Sequence, residues 1–238
     1  FLVGGAVRDL ILGKEISDYD IATNAKPEDV IRIFHKVIPT GIAHGTVTIL
    51  FMGQSIEATT YRIEKDYTDG RHPDKVEYAS KIEEDLSRRD FTMNAIAASL
   101  ADGSIVDPFG GQIDIQQKTI RTVGNPLERF SEDGLRPVRA LRFAAQLGFE
   151  IEPETLKAIP VTNHITKGIS IERFRDEFVK MLKSPKPSVA LNLMEKTGIL
   201  KIFLPEFAGC RNVLQKDIRG FHSFDVLDHL IYALDGVI

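Results

Sequence analysis

Leu2-Val3-Gly4-Gly5-Ala6-Val7-Arg8-Asp9, followed by Asp18-Tyr19-Asp20-Ile21, decides how this chain is read. An apolar pair runs into two glycines. The pattern after them predicts a short helix from Ala6 to Leu12, with Gly13 as its stop. A turn without side chains lets backbone N–H groups approach a phosphate, and a helix N-terminus favours negative charge there. Arg8, one turn into the helix, can add a phosphate contact. Tyr19 to Thr23 reads as a strand. Residues two apart on a strand point to one face, so Asp18 and Asp20 are expected to converge beside the glycine turn. Carboxylates that close repel unless a cation lies between them. Hard oxygen donors next to a phosphate cradle suit Mg²⁺.

Each piece has a plain alternative, since glycines make ordinary turns and acidic residues decorate exposed strands. Their order and spacing together favour phosphoryl transfer assisted by two metal ions. A hairpin follows, with Thr46 to Met52 alternating Val47, Ile49 and Phe51, a turn at Gly53-Gln54, and Ser55 to Arg62 returning. Glu57 on the second strand is either an exposed strand residue or a third acidic group for the same site.

Composition bounds the rest. The 238 residues hold 30 Lys+Arg and 34 Asp+Glu, for a formal charge of −4. That balance argues against a general nucleic-acid binder but leaves room for a local basic groove. One cysteine, Cys210, excludes an internal disulfide and points to a reducing, cytoplasmic setting. No apolar run approaches the roughly 20 residues of a membrane span, and no secretory signal pattern is present. The chain opens on Phe1 inside a strand-like segment and stops at Ile238 inside a helical one, so it reads as a piece of a longer chain.

Strand-like alternation ends near Pro126 and helical periodicity takes over. Helices are expected over Pro27 to Val37, Pro137 to Leu147, Pro153 to Ile159, Ile171 to Leu182, Ser188 to Gly198 and Phe224 to Leu234. The class is α+β, a mixed-sheet head over 1–127 and an all-helical remainder. Asp107-Pro108-Phe109-Gly110-Gly111 breaks the chain sharply and reads as structural. Lys65 to Lys75 reads as a mobile polar loop of the kind that forms lids. Glu132-Asp133-Gly134-Leu135-Arg136-Pro137-Val138-Arg139-Ala140-Leu141-Arg142 places three arginines three apart on one helix face. Without context that face is solvated and ion-paired, which is worth little. His222, Asp225, Asp228 and His229 read as part of a helix rather than a metal site.

Gly4-Gly5 with Asp18-x-Asp20 resembles the polymerase-beta-type nucleotidyltransferases. The fuller strings, with Arg88-Arg89-Asp90-Phe91-Thr92-Met93-Asn94-Ala95 and Glu132-Asp133-x-x-Arg136, are similar to the class II bacterial tRNA nucleotidyltransferase (CCA-adding) and poly(A) polymerase family. The resemblance implies a polymerase-beta-like head (1–127), a helical neck for base recognition and RNA binding (128–187) and the start of a helical body (188–238). It implies addition of C and A from CTP and ATP to a tRNA 3′ end, with release of pyrophosphate and with two Mg²⁺ ions at Asp18 and Asp20. It makes Asp18, Asp20 and Glu57 catalytic. It gives nucleotide binding to Gly4, Gly5, Arg8, Arg89, Asp90, Asn94, Glu132, Asp133, Arg136, Arg139 and Arg142. Partners are the tRNA acceptor end, ATP and CTP, with no membrane; the oligomeric state is left open. The loop with Asp69-Gly70-Arg71-His72-Pro73-Asp74 disfavours addition of C alone. A-addition only, poly(A) synthesis and a non-catalytic RNA-binding relic remain the alternatives.

Overall fold

A computed structural model describes residues 1–65, 75–214 and 224–236. The polar loop, with Asp69 to Asp74, and His222 lie outside the described residues. The chain divides into two compact units, with the change at Asn125 and Pro126.

The first unit is built on a mixed sheet of β1 (Leu2–Val3), β2 (Tyr19–Thr23), β3 (Val37–Gly41), β4 (Thr46–Phe51), β5 (Gln54–Thr60), β8 (Ala97–Ala98) and β9 (Ile105–Val106). The strand order is β3-β4-β5-β2-β1-β8-β9. A separate hairpin pairs β6 (Arg62–Lys65) with β7 (Lys75–Tyr78). The helices are α1 (Gly5–Ile11), α2 (Pro27–Ile33), α3 (Ile82–Ser87) and α4 (Gly111–Gln116). Only the β2–β5 pair is parallel among the described pairings of this sheet.

Period-two alternation gives the sheet two different faces. Val47 and Ile49 of β4 and Ala58 of β5 are buried with Val30 of α2. On the opposite side, register places Glu57 beside Asp20 on β2 and beside Thr48 on β4, and Thr46 beside Thr59. The Thr46 and Thr59 hydroxyls are 3.0 Å apart. One face is therefore core, and the other carries hydroxyls and carboxylates.

The helix expected over Pro27 to Val37 stops at Ile33. Val37–Gly41 is instead an edge strand, because Val37 and Ile38 pair with Ile49 and Thr48. The strand expected from Ser55 to Arg62 breaks at Tyr61, and Arg62 begins β6.

Asp107-Pro108-Phe109-Gly110-Gly111 proves to be a helix start. Asp107 accepts from the backbone N–H groups of Gly111 (2.7 Å) and Gln112 (2.9 Å) at the head of α4. Gly111 lies so close to the 3₁₀ turn Thr92–Asn94 that a Cβ on it would sit 2.2 Å from the Thr92 carbonyl oxygen. Thr92 donates to buried Asp114 of α4 at 2.6 Å. Gly111→Ala must push two backbones apart, and we expect it to destabilise the fold by at least about 2 kcal/mol. A urea midpoint unchanged from the parent would refute that packing argument.

The second unit is helical apart from a two-residue strand, Glu150–Ile151, that the all-helical expectation did not include: α5 (Pro126–Glu132), α6 (Leu135–Leu147), α7 (Pro153–Val161), α8 (Asn163–Thr166), α9 (Ile171–Leu182), α10 (Pro187–Thr197), α11 (Ile199–Phe203), α12 (Pro205–Ala208) and α13 (Val226–Leu234). Gly148 and Gly198 end α6 and α10 in the left-handed conformation. A Cβ on Gly134 would meet the Ile165 carbonyl oxygen at 2.8 Å, so the start of α6 touches the backbone of α8. Asp225 caps α13 by accepting from the Asp228 N–H at 2.8 Å, and it also pairs with Arg211. Its carboxylate is thus used structurally.

Candidate active site

Gly4 has φ +69° and ψ −137°, a backbone conformation that costs a side-chain-bearing residue roughly 1–3 kcal/mol. A Cβ there would also lie 2.9 Å from Nη1 of Arg89 and 3.5 Å from Oδ2 of Asp20. Three of the expected residues thus meet at one point: the glycine turn, a guanidinium from beyond α3 and a carboxylate on β2.

Asp20 has Glu57 as its register partner on β5. Asp18, exposed, stands just ahead of β2, and Ser17 donates to it at 3.0 Å. Burial pushes the Asp20 carboxyl above its ordinary value; Glu57 and Asp18 push it further, and Arg89 opposes them. The acids therefore repel one another. Among the described residues no group of three or more His, Cys, Asp and Glu side chains is gathered closely enough to hold an ion by itself. The donor set is open, as suits Mg²⁺, which takes one or two carboxylates and completes its octahedron with water and substrate phosphate oxygens. Hard oxygen donors under mutual repulsion fit such an ion.

Arg89 follows the end of α3. Its Nη2 donates to Asp85 at 3.1 Å, while its buried Nε has no hydrogen-bond partner among the described residues. Burial lowers the Arg89 pKa from its ordinary value, and Asp85 opposes that. Burial raises the Asp85 carboxyl, but Arg88 and Arg89 outweigh it and hold the group below its ordinary value. The ionised form is thus favoured by the fold. That stabilisation is present above the unfolded-state pKa and is lost as pH falls through the native one.

Arg8 is buried, and its fork is already engaged. Nε and Nη2 donate to Asp9 at 2.9 and 3.0 Å, and Nη1 donates to Asn94 at 2.9 Å. Asn94 in turn donates to Asp90 at 3.1 Å. A Cβ on Gly5 would lie 3.4 Å from Arg8 Nη2. Arg8, Asp90 and Asn94 therefore form a buried brace beneath Gly5, anchored through the turn that Gly111 supports.

In the helical unit the motif Glu132-Asp133-x-x-Arg136 spans the end of α5 and the start of α6. Asp133 accepts from the Leu135 N–H at 2.9 Å and from Arg173 Nη2 of α9 at 2.8 Å. Arg136 donates to the Arg129 carbonyl at 3.0 Å and pairs with Glu132, which also accepts from Arg129 at 2.9 Å. The arginine face is less solvated than it reads without context: Arg136 is 8% and Arg142 7% exposed. Arg142 pairs with Glu177 of α9 and lies over the Phe143 ring, with its Cζ 4.0 Å from the centroid; Arg139 lies 5.5 Å from the same ring. Asp85 and Arg173, which pair with Arg89 and Asp133, are not among the residues the sequence motifs single out. Arg173 is 40 residues from its partner, and no local pattern connects the two.

The chain matches the family described as "Poly A polymerase head domain" over residues 1–121. Residues 148–210 match that described as "Probable RNA and SrmB-binding site of polymerase A". The CCA-adding enzyme of Geobacillus sp. (strain WCH70) is 48% identical over 228 residues, 96% of this chain and 55% of the relative. That of Geobacillus stearothermophilus is 49% identical over 209 residues, 88% of this chain and 51% of the relative. The crystal structure of Bacillus stearothermophilus CCA-adding enzyme in complex with CTP superposes with a TM-score of 0.80 at 47% identity, covering 90% of this chain and 51% of that one. Thermotoga maritima CCA-adding enzyme complexed with tRNA gives a TM-score of 0.72 at 28% identity, covering 86% of this chain and 48% of that one. The chain spans about half the length of the curated relatives it matches.

Proposed function

The chain belongs to the poly(A) polymerase head-domain family, and from that premise we propose that it is the nucleotide-transferring half of an enzyme adding C and A, without a nucleic-acid template, to tRNA 3′ ends. The tRNA 3′-oxygen forms a bond to the α-phosphorus of CTP or ATP, the bond from that phosphorus to the β-phosphate oxygen breaks, and pyrophosphate leaves. The single observation carrying this reading is the meeting of Asp20 and Arg89 at the Gly4 turn, which sets acidic and cationic groups against a backbone free of side chains.

Asp18 and Asp20 would hold the Mg²⁺ ions, with Glu57 beside them; bound there, the ions lower the pKa of the attacking hydroxyl and neutralise charge on the leaving pyrophosphate. Arg89 holds triphosphate oxygens through its forked donors. Arg8, Asp90 and Asn94 keep the Gly4-Gly5 turn open to the phosphates. Asp133 and Arg136 select the base, and the helical unit binds the acceptor end of tRNA.

Relatives nearly half identical and named CCA-adding enzymes favour this over A-addition alone and over poly(A) synthesis. The mutual repulsion of Asp20, Glu57 and Asp18 argues against a relic, which has no use for it. The test is incorporation on tRNAs ending in the discriminator base, in CC and in CCA. Extension of the first two to CCA and no extension of the third supports the reading. Extension of only the CC-ended tRNA would make this an A-adding enzyme, and long A tails a poly(A) polymerase. Deleting Asp69 to Asp74, which lie outside the described residues, is expected to impair the final A while C addition persists. Equal loss of both would remove the loop from specificity.

Among the described residues no helix is long and apolar enough to cross a membrane.

A further inference from the structure

Behind Arg89 lies a chain of paired, partly buried charges that the reaction as described does not use. Glu64 of β6 accepts from Arg62 at 2.7 Å and from Arg88 at 3.1 Å. Arg88 in turn donates to Asp85 through Nε at 3.0 Å and Nη2 at 2.9 Å. The other oxygen of Asp85 accepts from Arg89 at 3.1 Å. Asp85 is fully buried and the Glu64 side chain is 8% exposed. Arg62 at the far end is held by the His44 carbonyl and by Thr46. The chain thus begins where β4 begins and ends at the Gly4 turn.

Among the described residues, Asp85 stands between Arg88 and Arg89, and Glu64 stands between Arg62 and Arg88. The end of the chain that meets a further carboxylate, Asp20, is Arg89, and its Nη1 also abuts Gly4. Arg88 and Arg89 are adjacent like charges that would repel if Asp85 did not stand between them. An arginine side chain free to rotate would lose much of its benefit to ordering. Pinned through one nitrogen, it presents the others at a fixed place.

We propose that Asp85, backed by Glu64 through Arg88, is a positioning residue that fixes the Arg89 guanidinium at the Gly4 turn for the triphosphate of the incoming nucleotide. This rests on the reading above that Arg89 meets the triphosphate. Asp85 also accepts from Arg88 and from the Arg62 N–H, but its effect on triphosphate binding runs through Arg89 and must vanish once Arg89 is gone.

The test is a double-mutant cycle on the 238-residue chain, read by calorimetric binding of inorganic tripolyphosphate and of ATP with Mg²⁺. Arg89→Ala is expected to weaken both by about tenfold, the loss of one charge-assisted hydrogen bond. Asp85→Asn is expected to weaken them nearly as much, and the double variant no more than Arg89→Ala alone. A residue that merely supports the fold would give additive losses. If Arg89→Ala leaves tripolyphosphate binding unchanged, the assignment of Arg89 to the triphosphate falls and the proposal with it. If Arg89→Ala weakens binding but Asp85→Asn stays within twofold of the parent, or its loss adds to that of Arg89→Ala, only the positioning role is overturned. Should Asp85→Asn fail to fold, Glu64→Gln takes its place in the cycle: about threefold weaker binding that vanishes in the Arg89→Ala background supports the role, and an unchanged or additive result overturns it.

Discussion

Asp20→Asn is expected to reduce nucleotide incorporation by about 10³-fold or more while leaving the fold as stable as the parent or more so. The activity loss follows from charge. Stabilising the developing charge of an in-line phosphoryl transfer is worth several kcal/mol, and each 1.36 kcal/mol is about tenfold in rate. The amide of Asn keeps the shape but supplies a weaker donor to a cation. The stability gain follows from the direction of the Asp20 pKa, raised by burial and then by Glu57 and Asp18. Because the native value lies above the unfolded one, the ionised group costs the fold stability at neutral pH, and that cost fades as pH falls through the native value and is gone below the unfolded one. Asn removes the charge and so removes the cost. Incorporation by purified Asp20→Asn within tenfold of the parent would sink the assignment. A clear drop in its melting temperature at pH 7 would show that Asp20 holds the fold together instead.

Asp133→Ala is expected to cut use of CTP and ATP and, more tellingly, to erode rejection of UTP and GTP. Cytosine and adenine present an exocyclic amino donor beside a ring-nitrogen acceptor, whereas uracil and guanine present a carbonyl acceptor beside a ring N–H. A carboxylate only accepts and a guanidinium only donates. Asp133 can take the amino hydrogen while Arg136 gives to the ring nitrogen; against the wrong bases both contacts face like with like. Unpaired groups of this kind cost on the order of 1–3 kcal/mol each, which supports roughly 10²–10⁴-fold discrimination without a nucleic-acid template. Asp133 is not a loose side chain, because Leu135 N–H and Arg173 fix the carboxylate. Arg173→Ala should therefore erode selection in the same direction, by less. If kcat/KM for the four nucleotides keeps the parent's C/U and A/G ratios in Asp133→Ala, the templating role is refuted even where overall activity falls.

Some of this was legible residue by residue. The glycine pair, the strand from Tyr19 to Thr23 and the helix from Ile171 to Leu182 stand where the local pattern put them, because each rests on backbone rules acting over a few residues. Gly148 and Gly198 likewise end their helices for a local reason, their tolerance of positive φ. The α+β order, with strands first and helices after, follows from the change in hydrophobic period near Pro126. Val37–Gly41 escaped such reading because its strand character comes from β4, not from its own sequence.

What the sequence determined by itself was the inventory: which acids, arginines and glycines are present, at which spacings, and which local elements carry them. Tertiary structure alone decided their company. Parallel register put Glu57 beside Asp20; packing of α4 against the turn at Thr92 set the brace under Gly5. Burial closed over an arginine face that, without context, reads as solvated and ion-paired, and brought Glu177 of α9 to Arg142. Glu64 of β6 reached Arg88 across 24 residues, and Arg173 reached Asp133 across 40. The physical reason is one of range: periodicity and turn chemistry act within a few residues, whereas the burial and charge partners that set each group's protonation and aim come from segments that only folding brings together.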